Sequence, residues 1–428
     1  MNYRLTPPAA LRLTAMLPAS KSISNRALIM NALSYAPWMP DNLSDCDDTR
    51  VMVRAFVSDS NRFDIGAAGT SMRFLTAFLS KIAGVWEITG SERMRRRPIR
   101  ILVDALRQCG AQIEYLGEEG YPPLRITGRA LHGGDLSLDG SVSSQYISAL
   151  LMIAPTMILG LHLTLTGKII SRPYIRMTLG MLADYGIKAD WIDNVIRIAP
   201  QQYHPTLYHV ENDWSAASYW YELMALAPAG SEVALPGLRR HSLQGDARIA
   251  ELFEPLGVET TFEDNGVRLS KYAIQTSEDT SSLSPETKLL PTRYEADLTD
   301  QPDLAQTLVV TCALLGIKFR FTGLESLKIK ETDRIEALKA ELRKLGFVVQ
   351  SETDSVLYWD GEMTASGTDI HIKTYDDHRM AMAFAPAAFR FPGIVIDDAG
   401  VVSKSYPTFW DELRKAGFTT EQTQDSSH

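Results

Sequence analysis

The chain has 428 residues and a formal net charge of -9, and it is long enough for two domains that each bury a core. This acidic balance argues against non-specific nucleic-acid binding, so no nucleic-acid partner is expected. Its three cysteines are too few and too dispersed for a disulfide framework or a zinc site, which fits a reducing cytosol.

Hydropathy along the chain predicts neither export nor membrane insertion. The N-terminal MNYRLTPPAAL has no apolar stretch of signal-peptide length. The most apolar run, 146–165, is broken by Pro155 and by polar residues, so it predicts a buried helix followed by a strand. We therefore expect a cytoplasmic protein with no membrane partner.

Basic residues recur in short motifs where small or hydroxylic residues flank them. Arginine offers a fork that matches carboxylate and phosphate, and lysine offers a point charge. Within an acidic chain, this pattern favours a cleft for multiply charged small anions. The ten residues are Lys21, Arg26, Arg50, Arg73, Arg97, Arg172, Lys330, Arg334, Arg379 and Lys404.

The first motif, LPASKSISNRAL, predicts a helix that begins near Lys21. Backbone amides at the helix start, the Ser22 hydroxyl, and the cations Lys21 and Arg26 would form an anion cradle. An ordinary serine-capped helix is the alternative. The motif is not a Walker-type loop, because GxxxxGK[ST] is absent.

Two further helix starts follow, in GAAGTSMRFLTAF around Gly69 and in SVSSQYISALL at Ser143, Ser144 and Gln145. Either could bind phosphate or could simply be a capped helix. Between them, ERMRRRPI has four arginines. Arg97 is expected to point inward, because Pro98 should start the next helix, while its neighbours stay outside.

A helix pattern that ends in glycine and continues into a strand occurs five times. In the first and fourth copies, apolar residues recur on one face of the helix, as in Ile335, Leu338, Leu342 and Leu345. The copies predict one α/β module used repeatedly, although helix–Gly–strand is also common in α/β proteins generally. An earlier copy near Asp48 lacks the glycine and the strand, so it is predicted to be truncated. The terminating glycines are Gly110, Gly186, Gly257, Gly346 and Gly417.

Two polar stretches punctuate the second half. SLQGDAR, 242–248, divides the chain near its middle and is a candidate domain boundary. TSEDTSSLSPETK, 276–288, predicts an exposed loop.

Carboxylates accompany the cations in the last motifs. KIKETDRIEAL combines Lys330, Glu331 and Arg334, which form either a salt-bridge cluster or a proton-transfer site. YEADLTDQPDLAQT has aspartates at 297, 300 and 303, which suit a divalent cation or a general base opposed by a cation. TYDDHRMAMAF adds His378 and Arg379. No HExxH or comparable ligand pair is present, so no metal is expected.

Taken together, these motifs closely resemble the 5-enolpyruvylshikimate-3-phosphate (EPSP) synthase family. The match runs from LPASKSISNRAL to VVSKSYPTFWDEL and includes SDCDDTR, AGTSMR, ERMRRRPI, SSQY, SRPYI, QGDAR, ADLTDQPD, KIKETDR and TYDDHRMAM in the family's order. The resemblance implies an α/β protein with a two-domain, inside-out barrel-like fold of repeated βαβαββ units. One domain would span 21–243 and bind mainly shikimate 3-phosphate. The other, 1–20 with 244–428, would carry Asp297, Glu331 and part of a phosphoenolpyruvate site.

The resemblance also implies the reaction, in which the enolpyruvyl group of phosphoenolpyruvate moves to the 5-hydroxyl of shikimate 3-phosphate and phosphate leaves. It implies no cofactor, and we expect a monomer. Asp297 would take the hydroxyl proton, and Glu331 with Lys21 would handle the proton at the methylene carbon. Shikimate 3-phosphate would meet Lys21, Ser22, Arg26, Ser143, Ser144, Gln145, Ser171, Tyr174, Asp297 and Lys330. Phosphoenolpyruvate would meet Lys21, Gly69, Arg97, Gln145, Arg334, Arg379 and Lys404.

Three departures and two rivals accompany this interpretation. Ala67 and Ser326 stand where the family usually has Asn, and Phe74 stands where it usually has Pro. The related UDP-N-acetylglucosamine enolpyruvyl transferases carry a cysteine in the loop equivalent to GSERMRRRPI, which here has none. A non-catalytic anion-binding relative is the second rival.

Overall fold

A computed structural model describes residues 1–275 and 287–423. The predicted loop at 276–288 therefore lies almost wholly outside the described residues. Backbone contacts group the chain into two compact units. We call residues 19–211 the inserted unit, and residues 1–18 with the described residues from 212 onward the terminal unit.

The units differ from the predicted domain bounds at both boundaries: residues 19 and 20 belong to the inserted unit, and the segment 212–243 belongs to the terminal unit. In this segment, β11 (Glu232–Pro236) pairs in parallel with β2 (Arg12–Thr14), far away in sequence. The SLQGDAR stretch contains a 3₁₀ helix, Gly245–Arg248, inside the same unit. These two strands lie more than two hundred residues apart, so no local sequence pattern indicates that they pair. The polar stretch 242–248 was therefore predicted as the boundary instead.

The inserted unit contains two four-stranded sheets of identical topology. In each, the first two strands are parallel and the last two form an antiparallel hairpin whose second strand lies next to the parallel pair. The first sheet has the order β3-β4-β6-β5: β3 (Arg62–Asp64), β4 (Gly84–Thr89), β5 (Gln112–Tyr115), β6 (Leu124–Gly128). The second has the order β7-β8-β10-β9: β7 (Gly134–Asp139), β8 (Leu161–Thr166), β9 (Asp190–Ile192), β10 (Val195–Ile198).

Three sheets of the terminal unit repeat this topology. N-terminal strands complete two of them, β2 as a first strand and β1 (Asn2–Thr6) as a fourth. The orders are β2-β11-β13-β12, β16-β17-β19-β18 and β20-β21-β1-β22. The remaining strands are β12 (Val258–Glu263), β13 (Gly266–Lys271), β16 (Arg293–Asp297), β17 (Lys318–Thr322), β18 (Gln350–Glu352), β19 (Val356–Trp359), β20 (His371–Ile372), β21 (Val395–Ile396) and β22 (Thr419–Thr423), with β14 (Ala273–Gln275) parallel to β15 (Thr287–Leu289).

The predicted repeat is confirmed, because its five glycines occupy equivalent places in these five sheets. Each glycine follows a helix and has φ between 81° and 97°, the left-handed region that a helix stop requires. A strand begins within a few residues of every one. The helix stripe at Ile335, Leu338, Leu342 and Leu345 is buried, as predicted.

The helices of the inserted unit are α1 (Lys21–Leu33), α2 (Asp47–Val57), α3 (Gly69–Lys81), α4 (Glu92–Arg95), α5 (Arg100–Gln108), α6 (Ser144–Ile153) and α7 (Arg172–Asp184). The prediction that the first unit is truncated is confirmed. Among the described residues, α1 and α2 have no sheet of their own, and the segment between them forms a single bridge, Asp41 with His209. The expectation that no strand follows this unit before the next helix is wrong. Residues 62–64 form β3, which pairs with β4 and is too short to show a sequence alternation.

The helices of the terminal unit are α8 (Trp214–Leu226), α9 (Ile249–Phe253), α10 (Ala305–Leu315), α11 (Arg334–Lys344), α12 (His378–Phe384) and α13 (Phe409–Lys415). Each unit has its own hydrophobic core. Both α8 and α10 are buried along almost their whole length, so each sits inside a layer of other helices. None of the described helices combines the length and apolarity needed to cross a membrane.

Candidate active site

In the inserted unit, four helices begin close to one another. Lys21, the first residue of α1, has its Nζ 3.7 Å from Oδ2 of Asp48 in α2. The Ser71 hydroxyl of α3 donates to the Asp48 carbonyl at 2.9 Å. Gln145 Nε2 of α6 donates to Thr70 Oγ1 of α3 at 3.1 Å. Helix starts present unpaired amides and a positive dipole end, so this cluster favours an anion.

The predicted starts of α1, α3 and α6 are confirmed, and serines cap two of them. Ser20 accepts a hydrogen bond from the Ile23 amide, and Ser143 accepts one from the Gln145 amide. Ser171 precedes α7 with φ of 53°, a left-handed conformation that is uncommon outside glycine. Such conformations cluster at ligand-binding sites.

Arg26 connects the second turns of α1, α6 and α7. Its Nε donates to Thr178 Oγ1 at 2.8 Å, its Nη2 to Ser148 Oγ at 2.9 Å, and its Nη1 to the Ser22 carbonyl at 2.8 Å. Burial lowers the pKa of Arg26 to about 10. Its guanidinium lies 5.2 Å from the ring centroid of Phe74. Arg26 thus aligns the three helix starts that carry the other predicted shikimate 3-phosphate residues.

Gly69 lies directly against two arginines. A methyl group placed on Gly69 would be 2.8 Å from Nη1 of both Arg73 and Arg97. Arg97 is partly buried while Arg93, Arg95 and Arg96 are exposed, which confirms the inward orientation predicted for it. The helix after it begins at Arg100 rather than at Pro98, two residues later than predicted.

In the terminal unit, several of the predicted cations and carboxylates form a network around Arg334, which is 1% exposed. Arg334 Nε and Nη2 donate to the two Asp377 carboxylate oxygens at 2.7 and 3.3 Å. Its Nη2 also contacts Glu331 Oε2 at 2.8 Å, and Nη1 contacts Asp303 Oδ1 at 3.0 Å. Burial opposes its charge, but the three carboxylates outweigh that effect and raise the Arg334 pKa.

Asp303 extends this network to two more cations. Its Oδ1 is 3.5 Å from Lys330 Nζ, and its Oδ2 is 3.4 Å from Arg379 Nη2. Arg379 Nη1 also donates to the Tyr219 hydroxyl at 3.5 Å. Lys404, at the end of the 3₁₀ helix Ala399–Lys404, donates to the Asp376 carbonyl. Lys330, Arg334, Arg379 and Lys404 are therefore placed at neighbouring loops and helix starts of this unit.

Asp297 ends β16 with its carboxylate exposed. Its Oδ1 accepts from the Thr299 amide at 2.9 Å and from the Thr299 hydroxyl at 2.6 Å. The main chain beside it is held by Arg248, which donates to the Asp297 carbonyl at 3.3 Å. The protein thus orients one carboxylate oxygen of this exposed group.

Sequence analysis did not identify two residues that lie near the Arg334 network, Tyr219 and Asp246. Tyr219 lies in the second turn of α8, where its motif looks like an ordinary apolar helix. Asp246 is buried and accepts a hydrogen bond from the Ser215 hydroxyl. Burial, with the charge of Asp303, raises the Asp246 pKa to about 6. Only the QGD spacing of its motif hinted at a special aspartate.

The two units differ in how their buried arginines are compensated. Arg334 and Arg379 of the terminal unit both contact carboxylates. Arg26 and Arg73 of the inserted unit have no carboxylate within 4.0 Å in the described part of the chain. The inserted unit therefore suits anion binding, and the terminal unit combines anion binding with carboxylates that can move protons.

Comparison with known proteins identifies the family. The sequence profile of EPSP synthase (3-phosphoshikimate 1-carboxyvinyltransferase) matches residues 54–413. A 3-phosphoshikimate 1-carboxyvinyltransferase of Bacteroides fragilis is 56% identical over 419 residues, covering 98% of both chains. The chain belongs to the EPSP synthase family. An enzyme of the same name from Idiomarina loihiensis is 36% identical, with 97% of this chain and 98% of that protein covered.

The fold agrees with that of solved EPSP synthases. The structure from Acinetobacter baumannii superimposes with a TM-score of 0.76 at 21% identity, covering 98% of this chain and all of the other. At that identity the likeness concerns the fold. It includes the mixed α/β architecture that the sequence predicted.

The departures from the EPSP synthase pattern have distinct surroundings. Ala67 is exposed, whereas Phe74 is 1% exposed and lies under the Arg26 guanidinium. The Ser326 hydroxyl is buried and has no hydrogen-bond partner among the described residues. Where the family usually has a proline, Phe74 thus places an aromatic ring against the Arg26 guanidinium.

Proposed function

We propose that this protein transfers the enolpyruvyl group of phosphoenolpyruvate to the 5-hydroxyl of shikimate 3-phosphate and releases phosphate, in the shikimate pathway to chorismate. The observation that carries the proposal is the family match along nearly the whole chain, and the contacts of Lys21 and Arg334 at helix starts support it. The substrates are small anions, and no cofactor takes part. The protein acts in the cytoplasm as a monomer.

Shikimate 3-phosphate binds to the serines and amides of the inserted unit. Ser22, Ser143, Ser144, Gln145, Ser171 and Tyr174 supply neutral donors, and Lys21, Arg26 and Lys330 supply charge. The Arg26 bonds to Ser148 and Thr178 support this assignment, because they align the starts of α1, α6 and α7 before any ligand arrives.

Phosphoenolpyruvate carries a phosphate and a carboxylate, so it needs several cations. The residues that we assign to these groups are Lys21, Gly69, Arg97, Gln145, Arg334, Arg379 and Lys404. The absence of a side chain at Gly69 supports the placement, since an anion approaches a helix start most closely there. Arg334 already contacts three carboxylates, so its charge is largely compensated before phosphoenolpyruvate binds.

The chemistry proceeds in two steps. Asp297 accepts the proton of the 5-hydroxyl as that oxygen attacks C2 of phosphoenolpyruvate, and Glu331 with Lys21 delivers a proton to C3. The resulting tetrahedral intermediate then loses a proton from C3 while the bond between C2 and the phosphate oxygen breaks. Cations around both substrates offset their mutual repulsion and the charge that develops on the leaving phosphate.

The acceptor decides between this function and its rivals. Purified protein is incubated with phosphoenolpyruvate and either shikimate 3-phosphate or UDP-N-acetylglucosamine, and phosphate release is measured. We expect phosphate release when shikimate 3-phosphate is the acceptor and none when UDP-N-acetylglucosamine is the acceptor. Release with the nucleotide sugar would identify the other enolpyruvyl transferase, and no release with either acceptor would support a non-catalytic relative.

Asp297→Asn tests the proposed general base. The amide keeps an acceptor for Thr299 but cannot take a proton at neutral pH, so kcat should fall about 10²–10⁴-fold with little change in shikimate 3-phosphate binding. Glu295→Gln is the matched control, because Glu295 is exposed two residues earlier on β16. A variant at position 297 that keeps more than about a third of wild-type turnover contradicts the assignment.

A further inference from the structure

Arg73 is a buried cation outside the set of residues assigned above. It lies in the second turn of α3 and is 5% exposed. Its Nη1 donates to the Gly69 carbonyl at 2.8 Å, and its guanidinium lies 5.8 Å from the ring centroid of Tyr146. Among the described residues no carboxylate lies within 4.0 Å of it, and its buried Nε has no hydrogen-bond acceptor.

The surroundings of Arg73 make its charge costly in the absence of a ligand. The start of α3 is the positive end of the helix dipole, where cations are unfavourable. Arg97 Nη1 and Arg73 Nη1 both lie 2.8 Å from the point where a methyl group on Gly69 would sit, so two like charges are close. A buried guanidinium normally has a carboxylate, as Arg334 has. An anion bound at this helix start would supply the missing countercharge.

We propose that Arg73 is a positioning residue for the phosphate group of phosphoenolpyruvate. It fixes the Gly69 peptide through its Nη1 bond and adds a second guanidinium charge behind Arg97, which contacts the phosphate directly. The inference rests on the proposed function, because the ligand is identified through the assignment of Gly69 and Arg97 to phosphoenolpyruvate. The same subsite holds inorganic phosphate after the reaction.

This role predicts opposite effects on stability and on affinity. Arg73→Met removes an uncompensated charge and keeps a long apolar side chain, so the ligand-free protein should melt at the same temperature as wild type or higher. The KM for phosphoenolpyruvate and the inhibition constant of inorganic phosphate should each rise at least tenfold, a loss of about 1.4 kcal/mol. The KM for shikimate 3-phosphate should change less than about threefold.

The experiment compares wild type with Arg73→Met and Arg73→Lys, and uses Arg95→Met as the matched control because Arg95 is exposed in the neighbouring short helix α4. Ligand-free melting temperature, both KM values and phosphate inhibition are measured. Arg73→Lys, which keeps the charge, should recover part of the phosphoenolpyruvate affinity, and Arg95→Met should match wild type.

Several results would overturn the proposal: a Met variant that melts well below wild type or fails to fold, an equal rise in both KM values, or an unchanged KM for phosphoenolpyruvate. The increase in melting temperature that inorganic phosphate produces tests the subsite without turnover. If inorganic phosphate raises the melting temperature of wild type but not that of Arg73→Met, the phosphate subsite is supported even if neither acceptor gives turnover. Loss of turnover alone would then count only against the proposed function.

Discussion

At the scale of single residues, the candidate site depends on where side chains are absent as much as on where charges are present. Gly69 starts α3 without a side-chain cap, and the space beside its Cα is filled by the guanidinium nitrogens of Arg73 and Arg97. Its φ lies outside the left-handed region, so backbone conformation does not require glycine there. The close approach of the two arginines does.

Gly69→Ala should therefore damage phosphoenolpyruvate binding specifically. A methyl group 2.8 Å from both Nη1 atoms forces the two guanidinium groups to move, and a shift of about 1 Å in a binding group can cost about 10²-fold. Steady-state kinetics should show a KM for phosphoenolpyruvate raised about tenfold or more, with a smaller change for shikimate 3-phosphate. Gly117→Ala is the control, since its methyl group would make only an ordinary contact. Equal KM values in Gly69→Ala and wild type would show that this helix start lies away from phosphoenolpyruvate.

At the scale of elements, pairs of buried charges join helix starts that are distant in sequence. Asp377 caps α12 by accepting from the Arg379 amide at 2.9 Å, and it also holds Arg334 at the start of α11. One carboxylate thus orients two helices, and both carry residues that we assign to phosphoenolpyruvate. In the inserted unit, Arg26 has the corresponding role and joins three helices through neutral hydroxyls and a carbonyl.

Asp377→Ala should destabilise the protein strongly. Asp377 and Arg334 are both essentially inaccessible, and removal of one partner of a buried ion pair leaves the other charge with poorer compensation. Urea denaturation should show the free energy of unfolding lowered by about 3–5 kcal/mol. Asp369→Asn, which removes an exposed pair with Arg4, should change it by less than about 1 kcal/mol. A loss in Asp377→Ala as small as that in Asp369→Asn would mean that the Arg334 network contributes little to the fold.

At the scale of the whole molecule, the core of the terminal unit includes the fully buried acid Glu222. Glu222 lies on α8, one turn after Ser218, whose hydroxyl is 3.2 Å from that of Thr307 in α10. Burial raises the pKa of Glu222 well above 4.5. The folded protein therefore keeps a proton on this residue that the unfolded chain releases above that pH.

Glu222→Gln should make stability less dependent on pH. Below about pH 4.5 the acid is protonated in both states, so its contribution is fully present. As pH rises, the unfolded chain ionises first and the wild-type protein loses stability, whereas a glutamine does not titrate. The melting temperature of the variant should equal that of wild type near pH 4.5 and exceed it by roughly a few degrees at pH 8. Glu251→Gln, exposed on α9, should show no such divergence, and parallel pH curves for Glu222→Gln and wild type would contradict a buried neutral acid.

Features encoded in short segments were predictable from the sequence. The starts of α1, α3 and α6 depend on serine caps and small residues, and the five helix stops depend on glycine in the left-handed region. Motif order along the chain then carried the family and the reaction. These signals lie within about a dozen residues each, so one sequence suffices to interpret them.

Tertiary structure decided the contacts between segments that are far apart. The segment 212–243 joins the terminal unit because β11 pairs with β2, and no local pattern reports that pairing. KIKETDR alone left a salt-bridge cluster and a proton-transfer group equally open, whereas the fold brings Asp303 and Asp377 to Arg334 as well. Arg73 and Arg334 both lie near helix starts and both are buried, yet of the two only Arg334 contacts carboxylates from other elements within the described residues. Charge compensation in a folded core depends on which elements meet, because electrostatic interactions act over a few ångströms of space regardless of separation along the chain.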